Sequence, residues 1–409
     1  MALFLRNRLV PLFLQKGFKM PGKLMLVALL ALGCTLGGCA TSASTKNKPL
    51  IDETAAFMSE EARIALLQPE NAMSAADFEA KVVAAGGKVE FAFGDERGFA
   101  QCHASTLVET RDRKIMVAWF GGTAENRPDV GIWYSIYDGE NWTPPLSIAK
   151  VEETAHWNPV LFKDARGIIH LFFKVGIDVP RWSTWWMSSI DNGKTWSEPE
   201  VLVPGDIGGR GPVKNKAIIL SDRRWCAPAS TEDNFFWDSF MDFSSDNGKT
   251  WERSMDFPLD RKKFEGKGTI QPTVWESEPG HIHALLRSTC GAMLRSDSTD
   301  NGVTWCDTYD TKLPNNNSGA DLVQLEDGRL LLVLNPVGEN WGARTPISLA
   351  VSEDNGETWS ILAHLEDAPR DTEFEFSYPA IVHMKDGVAI SYTYKRDRVR
   401  CWLIPNSAL

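Results

Sequence analysis

Ser244-Ser245-Asp246-Asn247-Gly248-Lys249-Thr250-Trp251 is one of four closely similar octets in the chain. The others are Ser189-Ile190-Asp191-Asn192-Gly193-Lys194-Thr195-Trp196, Ser298-Thr299-Asp300-Asn301-Gly302-Val303-Thr304-Trp305 and Ser352-Glu353-Asp354-Asn355-Gly356-Glu357-Thr358-Trp359. A decayed copy runs from Ser135 to Trp142. The copies recur roughly every 54 residues, a length that suits one four-stranded propeller blade. Each residue type has a structural reason to be there. Asp and Asn side chains hydrogen-bond the local backbone and hold a tight turn. Gly takes the positive φ such a turn needs, and Trp offers a large apolar face to pack between sheets. Identical acids in every blade cannot share one catalytic site, so these acids read as structural.

Outward from the octets, the chain from Val89 onward is made of short alternating or apolar runs broken by Gly, Pro, Asn and Asp. Lys114–Phe120, Gly167–Phe173, Leu330–Leu334 and Val388–Tyr394 are examples. This is an all-β pattern. The span 87–409 divided by the period gives about six blades. Five carry an octet, and the sixth is expected to close with strands from both chain ends.

The N-terminal part reads differently. Basic residues precede an apolar run from Leu24 to about Leu36, too short to cross a bilayer and ending in Leu36-Gly37-Gly38-Cys39. That box resembles a bacterial lipoprotein cleavage site. It implies a signal peptide over 1–38, a lipid on Cys39, and an exported protein held to a membrane by that lipid alone. Residues 39–86 are then a polar tether and a helical extension. The stretch from Asp52 to about Ala85 reads as helix, with starts at Ser59 and Ser74 and a stop at Gly86-Gly87. The five later cysteines (Cys102, Cys226, Cys290, Cys306, Cys401) include no CxxC pair. They read as mostly buried small residues with room for one disulfide. The formal net charge of −11 argues against sequence-independent nucleic-acid binding. It does not exclude a small anionic substrate, because a few arginines in one cleft override a global charge.

The four octets resemble the Asp-box (BNR) repeats of sialidases, over the whole chain after about residue 87. Trp119–Glu125, His156-Trp157-Asn158-Pro159, Gly209–Lys216, Ile270-Gln271-Pro272 and Phe376-Ser377-Tyr378-Pro379 strengthen the likeness to the group labelled exo-α-sialidase. The resemblance implies a sialidase-like six-bladed β-propeller. It also implies an exo-acting hydrolase that releases terminal sialic acid from glycoconjugates without a cofactor or metal. His281 and His283 alternate on one strand face, but no third ligand accompanies them.

The family uses three arginines on the substrate carboxylate, a tyrosine nucleophile with a glutamate partner, and an aspartate acid/base. A guanidinium fork suits a carboxylate, and a neutral tyrosine is not repelled by it as a carboxylate nucleophile would be. Arg287 and Arg344 match two of the arginines, each lying just before an octet, and Tyr378 matches the nucleophile. The first arginine is absent from Gln101-Cys102-His103-Ala104-Ser105, where His103 is expected to stand in. The acid/base region offers Glu125 or Asp129, and Gln271, which cannot act as a base, stands where the glutamate is expected. Arg210 and Lys214 lie in a glycine-bounded loop expected at the cleft rim. Lys174, Lys216 and Arg396 are further polar candidates. Two alternatives stand beside the sialidase reading. One is a glycosidase for another sugar, such as a uronate- or rhamnose-containing glycan. The other is a non-catalytic glycan-binding propeller on the cell surface.

Overall fold

The computed structural model describes residues 58–370 and 373–409, within the compact unit Ile51–Leu409. The expected signal peptide 1–38, the lipidation site Cys39 and the start of the tether lie outside the described residues. The alternating runs pair into six four-stranded antiparallel sheets. Each sheet is a blade, and its first strand in sequence lies nearest the common axis. The inner strands are Gln101–Glu109, His156–Lys163, Ile218–Ile219, Thr269–Glu278, Asp321–Gln324 and Phe376–Met384, for blades 1 to 6.

Blade 6 joins the two ends of the described chain. Its inner three strands are Phe376–Met384, Gly387–Tyr394 and Arg398–Pro405, and its outermost is Lys88–Phe91. This explains why five blades carry an octet and the sixth does not. In blades 1 to 5 the octet forms the turn between the third and fourth strands, as in Ser183–Ser189 followed by Glu200–Val201. In blade 6 the fourth strand comes from the other end of the chain, so no such turn exists.

The octet works as its composition demands. Asp246 accepts hydrogen bonds from Thr250 N (2.9 Å), Thr250 Oγ1 (2.7 Å), Lys249 N (3.1 Å) and Ser244 Oγ (3.0 Å). Asp191, Asp300 and Asp354 repeat the pattern. The octet glycines are fixed twice over. Gly302 has φ +81°, and a Cβ there would lie 2.4 Å from the Phe243 ring of the preceding blade. Trp251 turns its indole N–H back to Gly248 O at 3.0 Å. In the decayed copy, Trp142 instead donates to Glu90 at 3.2 Å, which ties blade 1 to the closing strand.

The expected helix over 52–85 is two helices in the described part, Glu60–Leu66 and Ala75–Ala84, capped by Ser59 and Ser74. Pro69 has no N–H to continue the first, Gln68 takes a left-handed φ of 48°, and a short 3₁₀ turn follows. Phe78 and Val82 of the second helix are fully buried, and Phe78 stacks on Trp402 of blade 6 at 5.6 Å. No helix among the described residues is long and apolar enough to cross a membrane. The disulfide for which the cysteine count left room is not formed, because all five described cysteines are free thiols. Cys102, Cys226 and Cys401 are buried in blades 1, 3 and 6; Cys290 and Cys306 lie at opposite ends of blade 4. Cys306 is exposed, unlike the buried residue expected.

Candidate active site

The octets all lie at the end of the propeller away from a cleft that gathers charged and aromatic side chains. That cleft is set by a second six-fold feature. Ala104, Asn158, Lys214, Gln271, Asn317 and Tyr378, one per blade, are left-handed residues with φ between 39° and 65°. Four of them sit in breaks of strand register, at His103/Thr106, Trp157/Val160, Ile270/Thr273 and Ser377/Ala380. The other two lie just before the short inner strands of blades 3 and 5. A bulge of this kind leaves one residue out of the ladder and re-aims its side chain. Non-glycine residues in this region carry strain that the surrounding fold must hold. The ring of bulges thereby turns Asn158, Gln271 and Tyr378 into a cleft of about 220 Å³, the size of a single sugar ring.

Tyr378 is central. Arg287 Nη1 donates to its Oη (2.7 Å) and to Gln271 Oε1 (2.8 Å), and Gln271 Nε2 lies 3.5 Å from the same oxygen. The Arg287 and Arg344 guanidiniums stand 5.6 and 5.5 Å from the centre of the Tyr378 ring. Arg287 is buried and braced by Asn317 Oδ1 at 2.8 Å. Arg344 donates to Glu375 Oε1 at 2.6 Å, and Arg396 donates to Glu375 Oε2 at 2.8 Å. One carboxylate therefore sets two guanidiniums side by side. Burial raises the Glu375 carboxyl, but the Arg344 and Arg396 cations outweigh it and hold the group well below the usual carboxylate range. Arg396 also pairs with Glu125 at 2.5 Å. Trp157, Trp182, Trp237 and Trp341 wall the rest of the cleft.

Of the residues singled out in the sequence, His103, Glu125, Gln271, Arg287, Arg344, Tyr378 and Arg396 meet in this cleft. His103 does not stand in as a cation. It is 2 % exposed, with Nδ1 2.9 Å from Thr393 Oγ1 and its ring 4.3 Å from that of Tyr378. Burial first, then Arg396 with Arg344 and Arg287, outweigh Glu375 and hold its pKa well below the imidazole range, so the ring is neutral at neutral pH. The third cation is Arg396, on the turn after Gly387–Tyr394.

Asp129 is not in the cleft. It accepts from Thr123 N (2.8 Å) and Thr123 Oγ1 (3.0 Å) and closes the exposed turn of a blade 1 hairpin. Arg210 is not a rim residue either. Its guanidinium forks onto Asp242 at 2.7 and 2.8 Å, and Asp242 is fully buried. Lys214 lies beneath the floor, 2 % exposed, bonded to Asn215 Oδ1 (2.8 Å) and to the carbonyl of Pro379. Lys216 pairs with Asp321 at 3.0 Å. Lys174 is fully buried, on Thr184 Oγ1 (2.6 Å) and Arg210 O (3.0 Å). His283 is engaged by Asp297 Oδ1 at 2.6 Å and Ser277 Oγ at 2.7 Å. Among the described residues, no group of three His, Cys, Asp or Glu side chains converges as a metal site would.

Sequence reasoning missed Glu375, and also Glu232 of blade 3, which lines the cleft, and it listed Arg396 only among further polar candidates. A signal for the bulges was available. Asn158-Pro159, Gln271-Pro272 and Tyr378-Pro379 are copies of one repeat position, out of phase with the octets.

The model of the BNR repeat-like domain family matches residues 113–390, from the second strand of blade 1 into blade 6. The chain belongs to the BNR repeat-like family. It is similar to a sialidase of Paraclostridium sordellii, 25 % identical over 203 residues, covering 42 % of this chain and 48 % of that protein. The chain thus matches about half the length of that curated relative. Among solved structures, the Hadza microbial sialidase Hz136 aligns with a TM-score of 0.65 at 18 % identity, over 78 % of this chain and 69 % of the other. A Dyadobacter fermentans protein of unknown function aligns with a TM-score of 0.60 at 16 % identity, over 78 % and 98 %. These structural likenesses show that this BNR repeat-like protein shares their fold.

Proposed function

We propose that this BNR repeat-like protein is an exo-acting glycoside hydrolase that releases a terminal acidic sugar, of the sialic acid kind, from glycan chains. The observation that carries the reading is the set of three guanidiniums around Tyr378. Arg287 and Arg344 flank its ring, and Glu375 joins Arg396 to Arg344. Three planar forks in a half-closed cleft suit a carboxylate held close to the reacting carbon. Tyr378 Oη, fixed by Arg287, faces that carbon as an oxygen without the charge that would repel the carboxylate. The cleft volume suits one sugar ring rather than an extended chain, which supports exo action.

Arg396 supplies a third guanidinium in the cleft, which weighs against a different sugar. Gln271 beside Tyr378 favours a second reading, a glycan-binding propeller without turnover. The test is release of free sugar from sialylated, glucuronylated and rhamnosylated glycans. Release from the sialylated member supports the hydrolase. Binding of that member without release supports the second reading. The Leu36-Gly37-Gly38-Cys39 box supports export and lipid anchoring at Cys39. Under that proposal Cys39→Ser moves the protein from the membrane to the soluble fraction, and a wild type already soluble contradicts it.

A further inference from the structure

Among the described residues, two carboxyl groups line the cleft, and they are held differently. Glu125 is committed to Arg396 at 2.5 Å. Glu232 ends strand Trp225–Glu232 of blade 3, and among the described residues no hydrogen bond or ion pair engages its carboxyl. Its position is nonetheless fixed. It pairs across the hairpin with Trp237, and the Trp237 ring lies 5.9 Å from the Arg287 guanidinium that grips Tyr378. In a ring of six blades, blade 3 stands opposite blade 6. Tyr378 from blade 6 and Glu232 from blade 3 thus reach one cleft from facing blades. Burial raises the Glu232 carboxyl above its ordinary value, opposed by Arg287, Lys267 and Lys174.

We propose that Glu232 is the proton donor to the departing glycosidic oxygen, in place of Glu125 or Asp129. The assignment rests on the glycosidase reading above. The Glu232 proton passes to the glycosidic oxygen as the bond from that oxygen to the anomeric carbon breaks, and the bonding pair leaves with the oxygen. Tyr378 Oη shields the opposite face of the electron-poor carbon. Water then adds from the face the leaving group vacated, and its proton returns to the Glu232 carboxylate. The sum is one water consumed, two hydroxyls formed and the acid restored, with retained configuration at the anomeric carbon.

The experiment is kinetic, on folded Glu232→Gln with two sialosides. One is lactose-linked and needs a proton to leave; the other is 4-nitrophenyl-linked and does not. The expected loss of kcat/KM is about 100-fold or more on the lactoside and under about 10-fold on the nitrophenyl substrate. The basic limb of the wild-type pH profile on the lactoside should also vanish. Equal losses on both substrates, or wild-type rates with an unchanged profile, overturn the assignment. If Glu232→Gln does not fold, Glu232→Asp carries the test. It draws the proton back by one methylene, so the ratio of lactoside to nitrophenyl turnover must fall, and an unchanged ratio overturns the proposal. Wild-type protein inert on both substrates overturns the glycosidase reading itself, and this assignment with it.

Discussion

Arg396 lies on the turn after a blade 6 strand, far in sequence from Arg287, and completes the cation set only because Glu375 joins it to Arg344. Loss of such a charge-assisted fork costs about 2–4 kcal/mol of transition-state binding. Arg396→Ala should therefore lower kcat/KM on a sialoside by roughly 30- to 1000-fold, with Arg396→Lys recovering little of it. Kinetics on protein shown to be folded by circular dichroism check this, and near-wild-type turnover would remove Arg396 from the site. Arg287 and Arg344 were legible in the sequence because each lies just before an octet, and Tyr378 because it stands in the family-like stretch Phe376-Ser377-Tyr378-Pro379. Glu375 was not, since it serves the site only through partners brought by the fold, and Asp129 and Arg210 were misplaced because a polar residue near a loop gives no sign of which way it points. Buried lysines were equally hidden. Burial lowers Lys174 to about 7 against Asp206, Asp242 and Glu232, and lowers Lys214 to about 7 against Asp321. An unfolded lysine keeps its proton to about pH 10.4, so between pH 7 and 10 the unfolded state holds more protons and stability rises with pH. The rise is at most about 1.4 kcal/mol per pH unit for each lysine, and below pH 7 the full cost of burying the charge stands. Melting curves at pH 7 and 9 should show a smaller upward shift for Lys174→Met than for wild type; identical shifts would contradict the burial argument.

At the scale of elements, the octet turn and the inner-strand bulge divide the work of each blade. The octet fixes the turn between the third and fourth strands, at the end away from the cleft. Asp246→Ala removes four acceptor contacts on a water-exposed turn. It should cost about 1–2 kcal/mol, because water replaces part of what is lost. Intrinsic turnover of the folded fraction should be intact, so a stable but inactive Asp246→Ala protein would mean that the octets have been misread. The octets were plain in the sequence because a tight turn needs the same Asp, Gly and Trp every time. The bulges were fainter: a following proline marks those at Asn158, Gln271 and Tyr378, and nothing marks those at Ala104, Lys214 and Asn317, because a left-handed backbone tolerates several residues. Ala104, Asn158, Lys214, Gln271, Asn317 and Tyr378 share a conformation and no side-chain chemistry. The helical reading over 52–85 held at its two starts, Ser59 and Ser74, and the break between them falls at Pro69, which has no N–H to continue the first helix.

For the whole molecule, the ring depends on one short strand. Lys88–Phe91 covers Arg398–Pro405 and completes blade 6. A chain begun at Asp95 lacks that strand and leaves a long strand edge unpaired, which invites association. It should melt well below the full chain and elute as larger species; an unchanged melting temperature and a monomeric profile would show that closure does not depend on these residues. The closed ring is what brings side chains of blades 1, 4, 5 and 6, three guanidiniums among them, into one cleft in a chain of net charge −11, and that convergence is the centre of the account. Its most direct test is kcat/KM on one sialoside presented as the free acid and as its methyl ester, which differ only in the carboxylate. Three guanidiniums acting on that group predict at least about a 30-fold preference for the acid in the wild type, most of it lost in folded Arg344→Ala. Equal rates on acid and ester, or a preference that survives Arg344→Ala, would contradict it.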